Sequence, residues 1–196
     1  MLRDKLKHLH IILASGSPRR QEFFRELDID FEIRLKPVEE VYPEHLKAEE
    51  ITNYLAELKA NAFEGELKEN DLLITSDTIV WLDGKALGKP RDEADAMRML
   101  QSLSGNTHQV ITSVCFKTLH TTETLFDVTQ VSFQPMTEDA LAYYLKRCQP
   151  FDKAGSYGIQ DWIGLAAISK IEGSYANVVG MPMHLVYHKL YELSLC

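Results

Sequence analysis

Two apolar periodicities are interleaved along this chain, and their order constrains the fold most. Runs with strand character lie at residues 9–14 ("LHIILA"), 71–90 ("DLLITSDTIVWLDGKALGKP"), 108–116 ("HQVITSVCF") and 123–133 ("ETLFDVTQVSF"). Between them the spacing predicts helices. One runs from Ser17 to near Asp28. A second starts at Pro43, with Ile51, Leu55, Leu58 and Ala62 on one face. Others span 90–105 and 137–148, and a last one begins near Pro182. The two kinds of run intermingle without strict alternation. A purely parallel sheet is therefore not expected; the pattern predicts an α/β fold, a mixed sheet with helices around it.

Local chemistry sharpens the boundaries. Asp83-Gly84 is a two-residue turn of the kind that closes a hairpin. Ser17 reads as an N-cap and Pro18 as the first helical residue. Pro90, Asp92 and Glu93 open a helix that ends at Gly105, and Thr137 caps another. Thr129, Val131 and Phe133 alternate onto one face of a strand. Residues 30–46 read as a strand and then a loop broken by Pro37 and Pro43. Residues 153–182 are punctuated by glycine and give no clear period. No repeat or low-complexity linker interrupts the 196 residues, so one domain covering 1–196 is expected.

Charge and cysteine usage exclude some classes. The net charge of -8 repels nucleic-acid polymers, which makes each local cluster of cations more informative. Cys115, Cys148 and Cys196 are widely separated, without metal-ligand spacing, and suit reduced thiols in a cytosol. The opening "MLRDKLKHLHIILASGS" orders basic, apolar and small residues like a signal peptide. Its apolar run is too short, however, and Asp4 interrupts the basic part, so a cytoplasmic protein is expected. No stretch approaches the roughly 20 apolar residues that cross a bilayer, so no membrane partner is expected.

The residues that stand out are charged groups in unfavourable places. Arg19 and Arg20 occupy the first turn of a helix, where the dipole favours acids. An anion at that helix start removes the misfit, since backbone N–H groups and arginine forks both bind phosphate, and Ser15, Gly16 and Ser17 let it approach. The Walker pattern G-x-x-x-x-G-K-[ST] is absent. Lys59, Lys89 and Lys153 lie near turns or a helix end; each is either a surface lysine or a ligand, and several together would suit a polyphosphate. Asp77 is a carboxylate in the middle of an apolar strand. Either it bonds Thr75 or Thr78 as a structural group, or it projects into a pocket as a general base or metal ligand. Glu39 and Glu40 are a second acidic pair that could complete a Mg²⁺ site with it. His184 and His188 are four residues apart on a helix but lack a third ligand.

Five segments, "LASGSPRR", "SDTIVWLDGKALGKPRD", "LSGNTHQVITSV", "KAGSYGIQ" and "EGSYANVVGMP", run in order from residue 13 to 182. In this set the sequence resembles the Maf family of nucleoside triphosphate pyrophosphatases. The resemblance implies a fold like that of inosine triphosphate pyrophosphatase: a long mixed sheet, two lobes, and the nucleotide in the cleft between them. It implies hydrolysis of a nucleoside triphosphate to the monophosphate and pyrophosphate with Mg²⁺ or Mn²⁺. The position matching Asp77 is the family's base. Ser15, Arg19, Arg20, Glu40, Lys59, Lys89 and Lys153 match its site-lining positions, Glu40 with Asp77 on the metal. Arg19, Thr78 and Gln160 match the positions that separate the dTTP/UTP branch from the 7-methyl-GTP branch, and all three resemble the dTTP/UTP type. The family usually has Gly after Gln160; here Asp161 and Trp162 follow, the latter as a stacking surface or as core. The implied partner is a small-molecule nucleotide. Members are often homodimers, although no stretch marks an interface. The alternative readings are a nucleotide-binding regulator of cell division, a pyrophosphatase for a different or modified base such as 7-methyl-GTP, and a related nucleotidyltransferase or phosphatase.

Overall fold

The computed structural model describes residues 1–195; the Cys196 thiol considered above lies outside them. The elements in chain order are α1 (Leu2–Lys5), β1 (His10–Leu13), α2 (Pro18–Glu26), β2 (Glu32–Ile33), α3 (Glu49–Asn61), β3 (Asp71–Leu82), β4 (Lys85–Leu87) and α4 (Glu93–Leu103). There follow β5 (Thr107–Lys117), β6 (Thr122–Phe133), α5 (Glu138–Cys148), a 3-10 turn (Ala154–Ser156), α6 (Trp162–Ala166), β7 (Ile168–Glu172), α7 (Tyr175–Val179) and α8 (Met183–Leu193). Among the described residues the strands form one seven-stranded sheet in the order β2-β1-β3-β5-β6-β7, with β4 paired to β3. The sheet is mixed, as the interleaved pattern predicts. β1 runs parallel to β2 and β3, whereas β3–β4 and β6–β7 are antiparallel.

The chain resolves into two compact units. One holds Met1–Asp77, Thr112–Asp127 and the segment from Gly180; the other holds Thr78–Ile111 and Val128–Val179. β3, β5 and β6 each run from one unit into the other.

In the first unit, the period of two in the strands sorts side chains onto two faces. Ile11, Leu13, Leu72, Ile74, Val114 and Phe116 pack on one face with Phe24 of α2 and with Val186 and Leu190 of α8. Ile12, Leu73 and Cys115 face the other way, against Ala56 and Ala60 of α3. In the second unit, Ala96, Leu100 and Leu103 of α4 join Leu141, Tyr144 and Leu145 of α5 around Val80, Val110, Val131 and Phe133.

The hairpin expected at Asp83-Gly84 forms, with Leu82 opposite Lys85. Both turn residues have positive φ, 49° and 76°, the signature of a type I′ turn. Two helix starts differ from expectation. α3 begins at Glu49, not Pro43. Ala48, at φ 48°, breaks the helical path, and the Lys47 N–H donates to Glu50 Oε2 (2.9 Å), fixing the entry there. α4 is capped by Asp92, whose Oδ1 accepts from the Asp95 N–H (2.7 Å), so Pro90 lies outside it.

Candidate active site

In the first unit, alternation along β3 explains how a carboxylate comes to project from an apolar strand. Odd-numbered residues face α3. Leu73 packs with Ala56 and Ala60, and the Thr75 hydroxyl donates to the Ala56 carbonyl (2.6 Å). Asp77 is next in that row and meets Lys59, one helical turn beyond Ala56. Lys59 Nζ lies 2.6 Å from Asp77 Oδ1 and 3.0 Å from Glu40 Oε1. The Thr75–Ala56 bond sets the register that makes this meeting possible. Asp77 is buried, and its partner is Lys59; Thr75 bonds to α3 instead. Glu40 arrives on the loop after β2. That loop is held at its other end by Lys36, which donates to the Ala62 carbonyl (2.8 Å), pairs with Glu66 and lies over the Phe63 ring.

The turn from β1 to α2 is the other half of this cluster. Ser15 is buried; its hydroxyl accepts from the Ser17 N–H (3.3 Å) and its carbonyl from Gln21 Nε2 (3.0 Å). Ser17 holds the N-cap position expected of it, but its hydroxyl makes no capping bond, and the first turn contains no acid. Arg19 and Arg20 follow, half-buried. Arg20 differs from a solvated surface cation. Its Nε donates to the Gly180 carbonyl (2.7 Å) and its Nη1 to the Ser76 carbonyl (2.9 Å), next in chain to Asp77. Burial lowers its pKa, the Asp77 charge opposes that shift, the Arg19 charge adds to it and Glu40 opposes it. An arginine has five N–H donors, so two are committed to the main chain here and the charge is shared with the carboxylates.

In the second unit, Thr78 is half-buried on β3, and Lys89 is exposed after the hairpin. The Gly155 N–H donates to the Gly88 carbonyl (3.0 Å), which ties the loop carrying Lys89 to the turn that follows Lys153. Lys153 pairs with Asp152 (2.8 Å) and lies 3.7 Å from Asp161 Oδ2. Gln160 is exposed at the tip of a turn. Trp162 packs against the core of the unit and sets its ring edge-on to Tyr143, 5.2 Å between centroids. That geometry uses it as packing.

Sequence reasoning passed over several groups that the structure shows to be engaged. Asn177 is fully buried and donates from Nδ2 to the Val110 carbonyl (3.1 Å) and to Thr129 Oγ1 (3.0 Å). Its setting in "GSYANVVG", a polar amide in an otherwise small and apolar run, was the available signal. His10 lies between Asp71 (2.8 Å) and Glu32 (3.0 Å). His184 stands 3.8 Å from Asp127, and among the described residues no group of three or more His, Cys, Asp or Glu side chains could hold a metal ion by itself.

A family described as Maf-like protein matches residues 10–193, almost the whole length. The chain belongs to the Maf family. Similar Maf proteins include one from Flavobacterium johnsoniae, 62% identical over 190 residues, spanning 97% of this chain and 98% of the relative. Another is from Flavobacterium psychrophilum, 62% identical over 187 residues, spanning 95% and 96%. Both are named dTTP/UTP pyrophosphatase. Among solved structures, this Maf chain is similar to the Staphylococcus aureus Ham1 protein, at TM-score 0.44 and 18% identity, over 63% of this chain and 71% of that one. No helix among the described residues is long and apolar enough to cross a membrane.

Proposed function

We propose that this Maf protein hydrolyses nucleoside triphosphates, dTTP and UTP foremost, to the monophosphate and pyrophosphate. The observation that carries the chemistry is the meeting of Asp77 and Glu40 on the single ammonium of Lys59. Two carboxylates and a cation, carried by a strand, a loop and a helix, are the parts needed to orient water and to balance a polyphosphate. The substrate class rests on full-length relatives that carry the name dTTP/UTP pyrophosphatase.

In this reading Ser15, Arg19, Arg20, Lys59, Lys89 and Lys153 hold the triphosphate. Asp77 accepts the proton of a water that attacks the α-phosphorus. The bond from that phosphorus to the bridging oxygen breaks, and pyrophosphate leaves with the electron pair. Thr78 and Gln160 read the pyrimidine edge, since a side-chain amide can donate and accept together. Asp77 and Glu40 also fit a hard divalent cation such as Mg²⁺ or Mn²⁺. Both present carboxylate oxygens to one positive centre, and such ions complete their shells with water and phosphate oxygens. Bound there, the ion would offset charge developing on the leaving group. The nucleotide is the partner the proposal needs; a second copy of the chain adds nothing to it.

The test is a panel of dTTP, UTP, CTP, dATP, dGTP and 7-methyl-GTP with Mg²⁺ and with products resolved. Thymidine and uridine monophosphate with pyrophosphate are expected, with kcat/KM at least about tenfold above the purines, roughly 1.4 kcal/mol of discrimination. Orthophosphate and a diphosphate product would make the enzyme a phosphatase. Binding without turnover would make it a regulator.

A further inference from the structure

The turn that presents Gln160 is gripped at both ends by one phenol. Gly158–Asp161 is closed by the Asp161 N–H donating to the Gly158 carbonyl (3.0 Å), with Ile159 anchored in the core and Gln160 exposed between them. Tyr144, fully buried on α5, accepts from the Gly158 N–H (3.2 Å) and donates to Asp161 Oδ2 (3.1 Å). A Cβ at 158 would lie 2.6 Å from Asp161 Oδ2 and 3.0 Å from Lys153 Cε, so a side chain there would displace the carboxylate from the phenol. The same Asp161 oxygen stands 3.7 Å from the Lys153 ammonium. Four groups of one unit thus converge on the turn: a buried hydroxyl, a carboxylate, a lysine and a glycine main chain that the carboxylate approaches closely.

We propose that Tyr144 and Asp161 are positioning residues that fix the Gly158–Asp161 turn and so set the base selectivity of Gln160. The inference rests on the reading that Gln160 meets the base. A two-state amide on a loose turn could swing to satisfy a purine edge; on a clamped turn its donor and acceptor are fixed in direction, and a base that leaves them unpaired is rejected. Burial pushes the Tyr144 phenol far above its ordinary pKa, so it remains protonated and keeps both bonds at any working pH. The carboxylate after Gln160 acquires a role in this arrangement. It closes the turn behind the amide and pairs with Lys153, away from any base.

Tyr144→Phe removes the hydroxyl and keeps the ring in the core; Asp161→Ala removes the carboxylate from a half-exposed site and leaves the core intact; Asp161→Asn keeps an acceptor for the phenol. The readout is the ratio of kcat/KM for dTTP to that for dGTP, with inhibition by inorganic pyrophosphate as a measure of phosphate binding alone. For Tyr144→Phe and Asp161→Ala the ratio is expected to fall at least about fivefold, chiefly through KM for dTTP; pyrophosphate inhibition should stay within twofold of wild type in Tyr144→Phe, which leaves Lys153 and its carboxylate partner in place. The double variant should be no worse than either single one, and Asp161→Asn should restore most of the ratio. An unchanged ratio in folded Tyr144→Phe, or in Asp161→Ala if the former does not fold, overturns the clamp. So does an equal loss of kcat for both nucleotides, which marks a merely structural tyrosine. Gln160→Ala separates the two ideas. If it leaves the ranking of substrates unaltered, the base-reading role of Gln160 is wrong; if it alters the ranking while the Tyr144 and Asp161 variants do not, only the clamp is wrong.

Discussion

Asp77 sits where an unpaired carboxylate would cost several kcal/mol, and Lys59 removes most of that cost. Its replacement by Asn keeps the volume and loses the charge. The variant should fold, because Lys59 keeps Glu40 at 3.0 Å and no cation is left alone. Turnover is expected to fall by a factor of at least about a thousand, the scale seen when a proton acceptor and an electrostatic partner are lost together. Pyrophosphate release on folded protein checks this, and activity within a few-fold of wild type would remove Asp77 from the reaction. The paired arginines separate by the same reasoning. Arg19→Ala should lower kcat/KM and leave the melting temperature of the ligand-free protein unchanged or slightly raised, since the residue opposes the helix dipole. Arg20→Leu strips donors from the Ser76 and Gly180 carbonyls. The loss of two hydrogen bonds from a guanidinium to main-chain carbonyls costs about 2 kcal/mol, roughly 4–8 °C in a chain of this size. The sequence marked both arginines as a single anomaly at a helix start. Only the fold reveals that one of them braces main chain, because the carbonyls it meets are 56 and 160 residues away.

At the scale of elements, legibility followed the strength of local rules. The type I′ hairpin, the Thr137 cap, whose hydroxyl accepts from the Ala140 N–H (3.3 Å), and the buried face of Thr129, Val131 and Phe133 all appear where the residues put them. Each is decided by neighbours a few positions apart. The start of α3 was misplaced because two N-terminal signals compete over 43–50. Proline offers a fixed φ at 43, whereas Glu49 and Glu50 answer the helix dipole, and the acids win once Ala48 turns the chain. Residues 153–182 were illegible for a different reason. α6, β7 and α7 are five residues each, too short to show a period, and β7 is mostly exposed, without the alternation that marks a strand. The cap that the structure places at Asp92, two residues after the expected start at Pro90, can be weighed. Asp92→Ala removes the bond to the Asp95 N–H at the start of α4 and should cost about 1 kcal/mol. That corresponds to roughly 2–4 °C in melting temperature. Asp92→Asn should recover most of it, and kcat should be unchanged in both, since the cap serves a helix and touches no proposed substrate group.

For the whole molecule, the buried polar groups predict how stability varies with pH. His108 lies in the core of the second unit, with Nε2 2.7 Å from the Tyr157 hydroxyl and its ring edge-on to Phe133. Among the described residues its Nδ1 has no hydrogen-bond partner, and no carboxylate faces it to support a charge. Burial therefore holds its pKa down, from 6.5 to about 4. The native imidazole stays neutral while the unfolded one takes up a proton, so the unfolded state binds more protons throughout that interval. The stabilisation is fully present above pH 6.5 and is lost as pH falls toward 4, by on the order of 3 kcal/mol in all. The paired carboxylates act in a lower window. Asp95, pulled down to about 2 by the Arg91 N–H and side chain and by Arg98, and Asp71, lowered by the Lys68 N–H and His10 against its burial, contribute stability that is complete above the ordinary carboxylate range. It is lost only as pH falls through their depressed values. A loss of stability between pH 6.5 and 4.5 thus belongs mainly to the histidine. His108→Gln supplies an amide to the Tyr157 hydroxyl and cannot titrate. Chemical denaturation of the two proteins across pH 4.5–7.5 is expected to give a sloping profile for wild type below pH 6.5 and a much flatter one for the variant. Parallel profiles would mean that His108 is protonated in the folded protein, and that the core around Tyr157 and Phe133 admits water or a counter-charge.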